Sequence, residues 1–266
     1  MKRLLLVLIM SVFAITTTKI ALADWVYMNN ISGMDKRIEE ATMKIESELS
    51  RGDRGDRLKQ AYLLRSSLYG LSGCYEDALR DLDKALEIAP TDYIVYNNIA
   101  WMLYKLADYH EALENVNRAL ELHPSSYFVL NTRALIYIDL DLLDEAMQDV
   151  RFAIKLNGKH GFSYFTRGII YYSQVKKDLA QRDFQKAVIL DQKLQTDIDH
   201  FVAKIEPKKT NKNLIKFPQL HDTRYKISKC IKNSGDTKHH TTSAIPGSQA
   251  IGIVSYEEFF LTYRKQ

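Results

Sequence analysis

Large, small and charged positions recur along the middle of the chain at a fixed interval of 34 residues. The segments Ala78–Ala85, Ala112–Ala119, Ala146–Ala153 and Ala180–Ala187 align without a gap, each opening and closing on Ala. Four residues into each stands a large apolar side chain: Leu82, Val116, Val150 or Phe184. Twelve residues before each opening Ala is a small residue, Ser66, Ala100, Ala134 or Gly168. Sixteen before it is Tyr62, Tyr96, Leu130 or Tyr164, and nine before it is Tyr69, Leu103, Tyr137 or Tyr171. Spacings of four and three put Tyr62, Ser66 and Tyr69 on one face of a helix. The small residue on that face lets a second helix approach closely. Pro90 and Pro124 close the first two units, and Gly158 and Gln192 take that place in the others, where the chain breaks and restarts. The pattern predicts two antiparallel helices per unit, over 59–92, 93–126, 127–160 and 161–194.

Outside this block the period changes. Met34, Ile38, Ala41, Ile45 and Leu49 predict an amphipathic leading helix within 24–58 that lacks the small-residue code. Leu194, Ile198, Phe201, Val202 and Ile205 predict a capping helix, assigned to 195–206, over the last unit, since stacked repeats need polar ends. From Pro207 the pattern stops, and 207–266 reads as an irregular basic tail. Between Lys208 and Lys238 it holds nine Lys or Arg and two Asp. Near its end, Ser255-x-x-Glu258 ahead of Phe259, Phe260 and Leu261 predicts a short capped helix.

The 34-residue unit, with its aromatic, small and Pro positions, resembles the tetratricopeptide repeat. The resemblance covers Lys59 to Leu194, with Leu130 in place of an aromatic and Gln192 in place of the closing Pro. It implies an all-α, right-handed solenoid of four helical hairpins. In that family the first helices line a concave groove that takes a peptide or a helix. Carried onto this chain, the groove positions are Asn97, Asn98, Trp101 and Tyr104, then Asn131, Leu135 and Ile138, then Phe165, Ile169 and Tyr172. Trp101 and Tyr104 have the character of anchoring hot spots. One subclass clamps a terminal carboxylate with Lys, Arg and Asn. Here Asn98 matches one clamp position, while Leu63, Ser67, Phe128 and Thr132 stand where the others belong, which argues against that mode.

Three of the four units pair an Arg in the first helix with an Asp in the second: Arg65 with Asp81, Arg133 with Asp149, and Arg167 with Asp183. The second unit has Ile99 and Asn115 at these places. Losing both partners together points to structural ion pairs rather than catalytic groups. The two cysteines, Cys74 and Cys230, allow a disulfide between the first unit and the tail. Arg51-Gly52-Asp53-Arg54-Gly55-Asp56 contains an integrin-recognised tripeptide twice, and a hinge ending in an Asp helix cap explains it more cheaply. His221, Cys230, His239 and His240 match no common zinc spacing, so no metal or other cofactor is expected.

The amino end carries its own signature. Lys2 and Arg3 precede an apolar run from Leu4 to Ile15, and Ala21-Leu22-Ala23 precedes Asp24. These are the parts of a secretory signal peptide over 1–23, and its apolar run is too short for a comfortable membrane span, which wants roughly 20 residues. Its removal would leave no stable span and an exported protein, in a bacterial periplasm or secreted.

Composition narrows the function further. The chain has 266 residues, 46% hydrophobic and 26% charged, with 11 Gly and 5 Pro, a scarcity of turn residues that argues against a β-sandwich or barrel. The formal charge is +4, of which Lys2, Arg3 and Lys19 supply three, so global charge does not support nucleic-acid binding. No phosphate loop, nucleophile elbow or His-Glu metal helix occurs. The expectation is a non-enzymatic adaptor or scaffold for a protein or peptide. Alternatives are a homo-oligomer of repeat arrays, the terminal helix docked in the groove as an internal competitor, and, least favoured, an enzyme with its site in the tail.

Overall fold

The computed structural model of the protein describes residues 33–205. Helix α1 occupies 33–50 within them. It is followed by α2 (Asp56–Leu71), α3 (Tyr75–Ile88), α4 (Tyr93–Lys105), α5 (Tyr109–Leu122), α6 (Tyr127–Asp139), α7 (Leu143–Leu156), α8 (Gly161–Ser173), α9 (Lys177–Leu190) and α10 (Leu194–Ile205). No strand occurs among the described residues.

Packing follows the residue code. The broadest contacts join α2 to α3, α4 to α5, α6 to α7 and α8 to α9, and each second helix also packs on the next first helix. First helices touch in turn, α4 with α6 and α6 with α8. Ala78, Ala112, Ala146 and Ala180 are buried at these crossings, as are Ala85, Ala119, Ala153 and Ala187. Leu82, Val116 and Val150 fill the space beside them with no exposure, and Phe184 does so in the last pair. One continuous apolar cluster runs from Leu63 in α2 to Phe201 in α10.

The turn inside each pair has a conformation that the apolar pattern does not announce. Gly73, Ala107, Asp141 and Val175, one per unit and 34 residues apart, have φ of 76°, 62°, 60° and 60°. The following residue's N–H reaches back over the turn: Cys74 to the Tyr69 carbonyl, Asp108 to Leu103, Leu142 to Tyr137 and Lys176 to Tyr171, all at 2.8–2.9 Å. These are helix stops of the Schellman type, in which a left-handed residue lets orphan carbonyls find donors. Only the first turn uses Gly, although this region penalises any residue with a Cβ.

The turns between pairs are braced by aromatic side chains. The Tyr96 hydroxyl donates to the Pro90 carbonyl and the Tyr164 hydroxyl to the Gly158 carbonyl, both at 3.2 Å and in the same register. Asp92, Asp108 and Ser126 cap α4, α5 and α6 through their side-chain oxygens.

Helices α1 and α10 flank the repeats. Ala41 and Ile45 of α1 are buried, and Thr42 Oγ1 accepts a 3.1 Å bond from Arg65. Leu194, Ile198 and Phe201 of α10 are buried, Phe201 lying against Tyr172 and Phe184. The Asp cap expected after the Arg-Gly-Asp pair is corrected. Gly55 holds the N-cap position, Asp56 lies in the first turn, and Asp53 instead accepts from the Gly55 N–H at 2.7 Å. The signal segment, the tail, His221, Cys230, His239 and His240 lie outside the described residues.

Candidate functional site

Each Arg–Asp pair sits inside one helix hairpin and is bidentate. Arg65 Nε and Nη2 donate to the two Asp81 carboxylate oxygens at 2.8 and 2.7 Å. Arg133 meets Asp149 at 2.7 and 2.8 Å, and Arg167 meets Asp183 at 2.6 and 2.8 Å. Fork-to-fork geometry fixes the relative height of the two helices. Arg133 also donates to Asn117 Oδ1 in α5, as Arg65 does to Thr42 in α1, so both reach the preceding helix. Burial pushes the Asp81 carboxyl up, against the pull of the Arg65 guanidinium. No group here is arranged as an acid, base or nucleophile toward open space. The pairs are braces.

The ten inner-face residues fall along α4, α6 and α8, but not as an open trough. Asn97, Asn98, Trp101, Tyr104, Asn131, Leu135, Ile138, Phe165 and Ile169 are buried, and Tyr172 is half-buried. That corrects the exposure expected of them. In α4 every residue from Asn97 to Tyr104 is buried. At about 100° per residue, those eight positions cover the whole circumference of the helix. By contrast α5 leaves His110, Glu114, Arg118 and Glu121 exposed along one stripe. Trp101 packs 5.3 Å from the Tyr104 ring, and Lys105 Nζ stands 5.3 Å above the indole. Burial first, and then the neighbouring Asp139 carboxylate, hold the Tyr104 hydroxyl well above its usual range.

This face retains unmet polarity. The side-chain oxygens of Asn97 and Asn131, one unit apart, are buried without a hydrogen-bond partner. The Asn131 amide is fixed, donating to the Tyr127 carbonyl at 2.7 Å and to Ser163 Oγ at 2.8 Å. Its oxygen is therefore the atom left over. A buried acceptor without a donor costs about 1–3 kcal/mol.

Beside Asn131 lies a group that sequence reasoning missed. His160 Nδ1 is 3.0 Å from Ser163 Oγ, and the ring is enclosed by Tyr127, Phe128 and Phe162. Burial lowers the imidazole to about 4, with Asp191 pulling the other way. A signal was available: His160 stands in the register of Asp92 and Ser126, and Ser163 in that of Val95 and Val129. Ser163 is fully buried, so this His–Ser contact presents no accessible nucleophile.

Cys74 precedes α3, is buried and is disulfide-bonded; the chain's other cysteine, Cys230, lies outside the described residues. At the opposite end, Phe184, Val188, Ile189, Ile198 and Val202 line an apolar cleft between α9 and α10, with Ile189 78% exposed. Among the described residues no cluster of His, Cys, Asp and Glu could hold a metal ion, and no helix is long and apolar enough to cross a membrane.

Stacked hairpins braced in this way define an all-helical repeat architecture. Residues 58–125 match the family model of the tetratricopeptide repeat, and the same hairpin geometry continues through α9. The solved structure of BtubC from P. vanneervenii aligns with a TM-score of 0.52 at 20% identity, covering 65% of this chain and 84% of that one. MamA aligns with a TM-score of 0.47 at 17% identity, over 63% of this chain and 94% of that one. YrrB, described as a tetratricopeptide-repeat protein with an unusual peptide-binding site, aligns at 0.44 and 18% identity, over 67% and 86%. No curated protein matches the chain in sequence.

Proposed function

We propose that the protein is an exported, non-enzymatic scaffold that holds a protein or peptide partner against the α4–α6–α8 face. The observation that carries this reading is the pair of unmet acceptors, Asn97 Oδ1 and Asn131 Oδ1, in line with Trp101, Tyr104 and Leu135. A polypeptide offers backbone N–H groups for the first and apolar side chains for the second, the two components of peptide recognition on a repeat surface. The Lys2–Ala23 pattern supports export, which the mass of the mature protein would test.

The test is affinity capture from an envelope extract, with the intact protein beside an Asn97→Ala/Tyr172→Ala variant whose melting curve shows it folded. Loss of a specific partner is the expected result. Identical partners on both forms would show that another surface binds them. A second reading, end-to-end self-association, is favoured by the exposed Ile189 and the cleft at the α9–α10 end. Light scattering separates the two.

A further inference from the structure

Helix α10 stands one repeat beyond α8. It packs on α8 and α9 as α8 packs on α6 and α7, which makes it the first helix of a fifth unit. Its residues depart from the code that lets the other first helices receive a second helix. Val202 takes the small-residue place of Ser66, Ala100, Ala134 and Gly168, and Phe201 takes the place of Arg65, Arg133 and Arg167. A Val at the crossing holds a second helix further away, and no guanidinium is there to brace one. What α10 forms instead, together with α9, is a cleft of about 690 Å³ with Phe184, Val188, Ile198 and Val202 among its lining.

Beside the cleft stands Ile189, 78% exposed, where the earlier units carry Glu87, Glu121 and Lys155. One patch therefore holds a projecting apolar side chain and an apolar hollow. A surface with both can pair with its own copy about a two-fold axis, each projection entering the other's hollow. The polar groups suit the same pairing. Gln181, Gln185 and Gln195 border the cleft, and an amide, which both donates and accepts, can face its own copy where a charge cannot. The one charged side chain of the lining, Lys177, holds its ammonium 5.3 Å above the Tyr172 ring.

The other end of the array does not match this patch. Helix α1 leaves Lys36, Arg37, Glu39, Glu40, Lys44 and Glu46 exposed, with Met43 among them. Pressing those charges into an apolar cleft would strip their water without supplying partners. Head-to-tail stacking would also run on as a filament, whereas two α9–α10 ends close at two copies. The size of the face sets the strength of the contact. Helices of 14 and 12 residues side by side span roughly 20 Å by 20 Å. With side-chain relief a pair would bury on the order of 1,000 Å², the threshold for a specific interface, so the association is reversible.

We propose that the chain associates tail to tail, as a two-fold dimer in which the α9–α10 face of each copy seats Ile189 in the cleft of the other. The proposal rests on the self-association reading above and gives it a geometry. No residue of α4 or α6 lines the cleft, so the dimer would carry two copies of the Asn97–Asn131 surface on one particle. A partner with two matching segments would then bind both, the second as an intramolecular event.

Sedimentation velocity of the full chain from roughly 1 to 100 μM, the range suited to so small an interface, should show monomer passing to dimer and nothing larger. Ile189→Lys, at an exposed position, should weaken the dimer by about tenfold or more with melting unchanged, because it sends a charge into the apolar cleft. Gln185 borders the cleft midway along α9 and is exposed, so near a two-fold axis it meets its own copy. Gln185→Glu and Gln185→Lys should each weaken the dimer at low salt, and an equal mixture of the two should restore it. Monomer at every concentration would overturn the proposal together with the self-association reading. Species beyond a dimer, or a dimer indifferent to Ile189→Lys, would leave that reading standing and overturn this geometry. A mixture of the Gln185 variants no more associated than its components would overturn the two-fold arrangement.

Discussion

Phe184 fills the space that Gly168 leaves across the fourth helix pair. A Cβ built on Gly168 would lie 2.6 Å from Phe184 Cδ1, well inside contact distance, so the buried Phe184 ring would have to shift. The other units combine Ala100 with Val116, Ala134 with Val150, and Ser66 with Leu82. Small against large is thus conserved as a sum within the chain, while its division shifts.

This relationship predicts a sign reversal. Gly168→Ala should raise helix propensity by about 1 kcal/mol in isolation. In this packing it should destabilise the protein instead, since overfilling a core costs about 1–3 kcal/mol. Adding Phe184→Val recreates the Ala–Val combination of the second and third units and should recover much of the loss. Chemical denaturation of the three variants checks it; additive effects would mean that the two side chains do not compete for one space.

The hairpins were legible because burial imposes a fixed code at each crossing: Ala78 and Ala85 are fully buried, and every unit repeats Ala at those places. The Arg65–Asp81 register was legible through its joint absence in the second unit. Exposure was not. Helical spacing shows that Trp101 and Tyr104 share a face with Asn97, but not what lies over that face. Nor did the sequence mark the left-handed turns, since Ala107 and Val175 carry no turn signal and are held there by the Schellman bonds of Asp108 and Lys176.

Val175 is the most strained of these turn residues. It is β-branched, has φ of 60° and is 79% exposed, so it pays the left-handed penalty with little packing in return. Val175→Gly should stabilise the fold by about 1 kcal/mol, the sterically relieved strain exceeding the added chain entropy. The same change at Gly73's register partner Ala107 should give less, because Ala is not β-branched. Thermal melting of both variants tests the order, and a destabilised Val175→Gly would remove the strain account.

The Arg133–Asp149 brace predicts strong coupling. Arg133→Ile alone leaves Asp149, 7% exposed, without its cation, a loss of about 3–5 kcal/mol for a buried pair. Combining it with Asp149→Asn installs the Ile and Asn that the second unit carries naturally as Ile99 and Asn115. Most of the stability should return. A double-mutant cycle measures the coupling, and independent effects would show that the fork contributes little.

His160 predicts how stability depends on pH. Its folded value of about 4 lies below the 6.5 of the free side chain, so the unfolded chain takes up the proton first as pH falls. The contribution of the neutral ring is complete above about pH 6.5 and is lost progressively down to about pH 4. The span corresponds to on the order of 3 kcal/mol, an upper bound because the ring keeps partial solvent access. Asp191 is the charged group that opposes this shift, and Lys159 adjoins the ring in sequence. His160 makes no side-chain cap bond to α8, and His160→Ser places there the residue that caps α6 as Ser126, removing the titration and supplying a helix cap. Urea unfolding from pH 7.5 to 4 should show a steeper decline for the natural protein than for the variant. Parallel curves would mean that His160 stays accessible enough to protonate in the folded state.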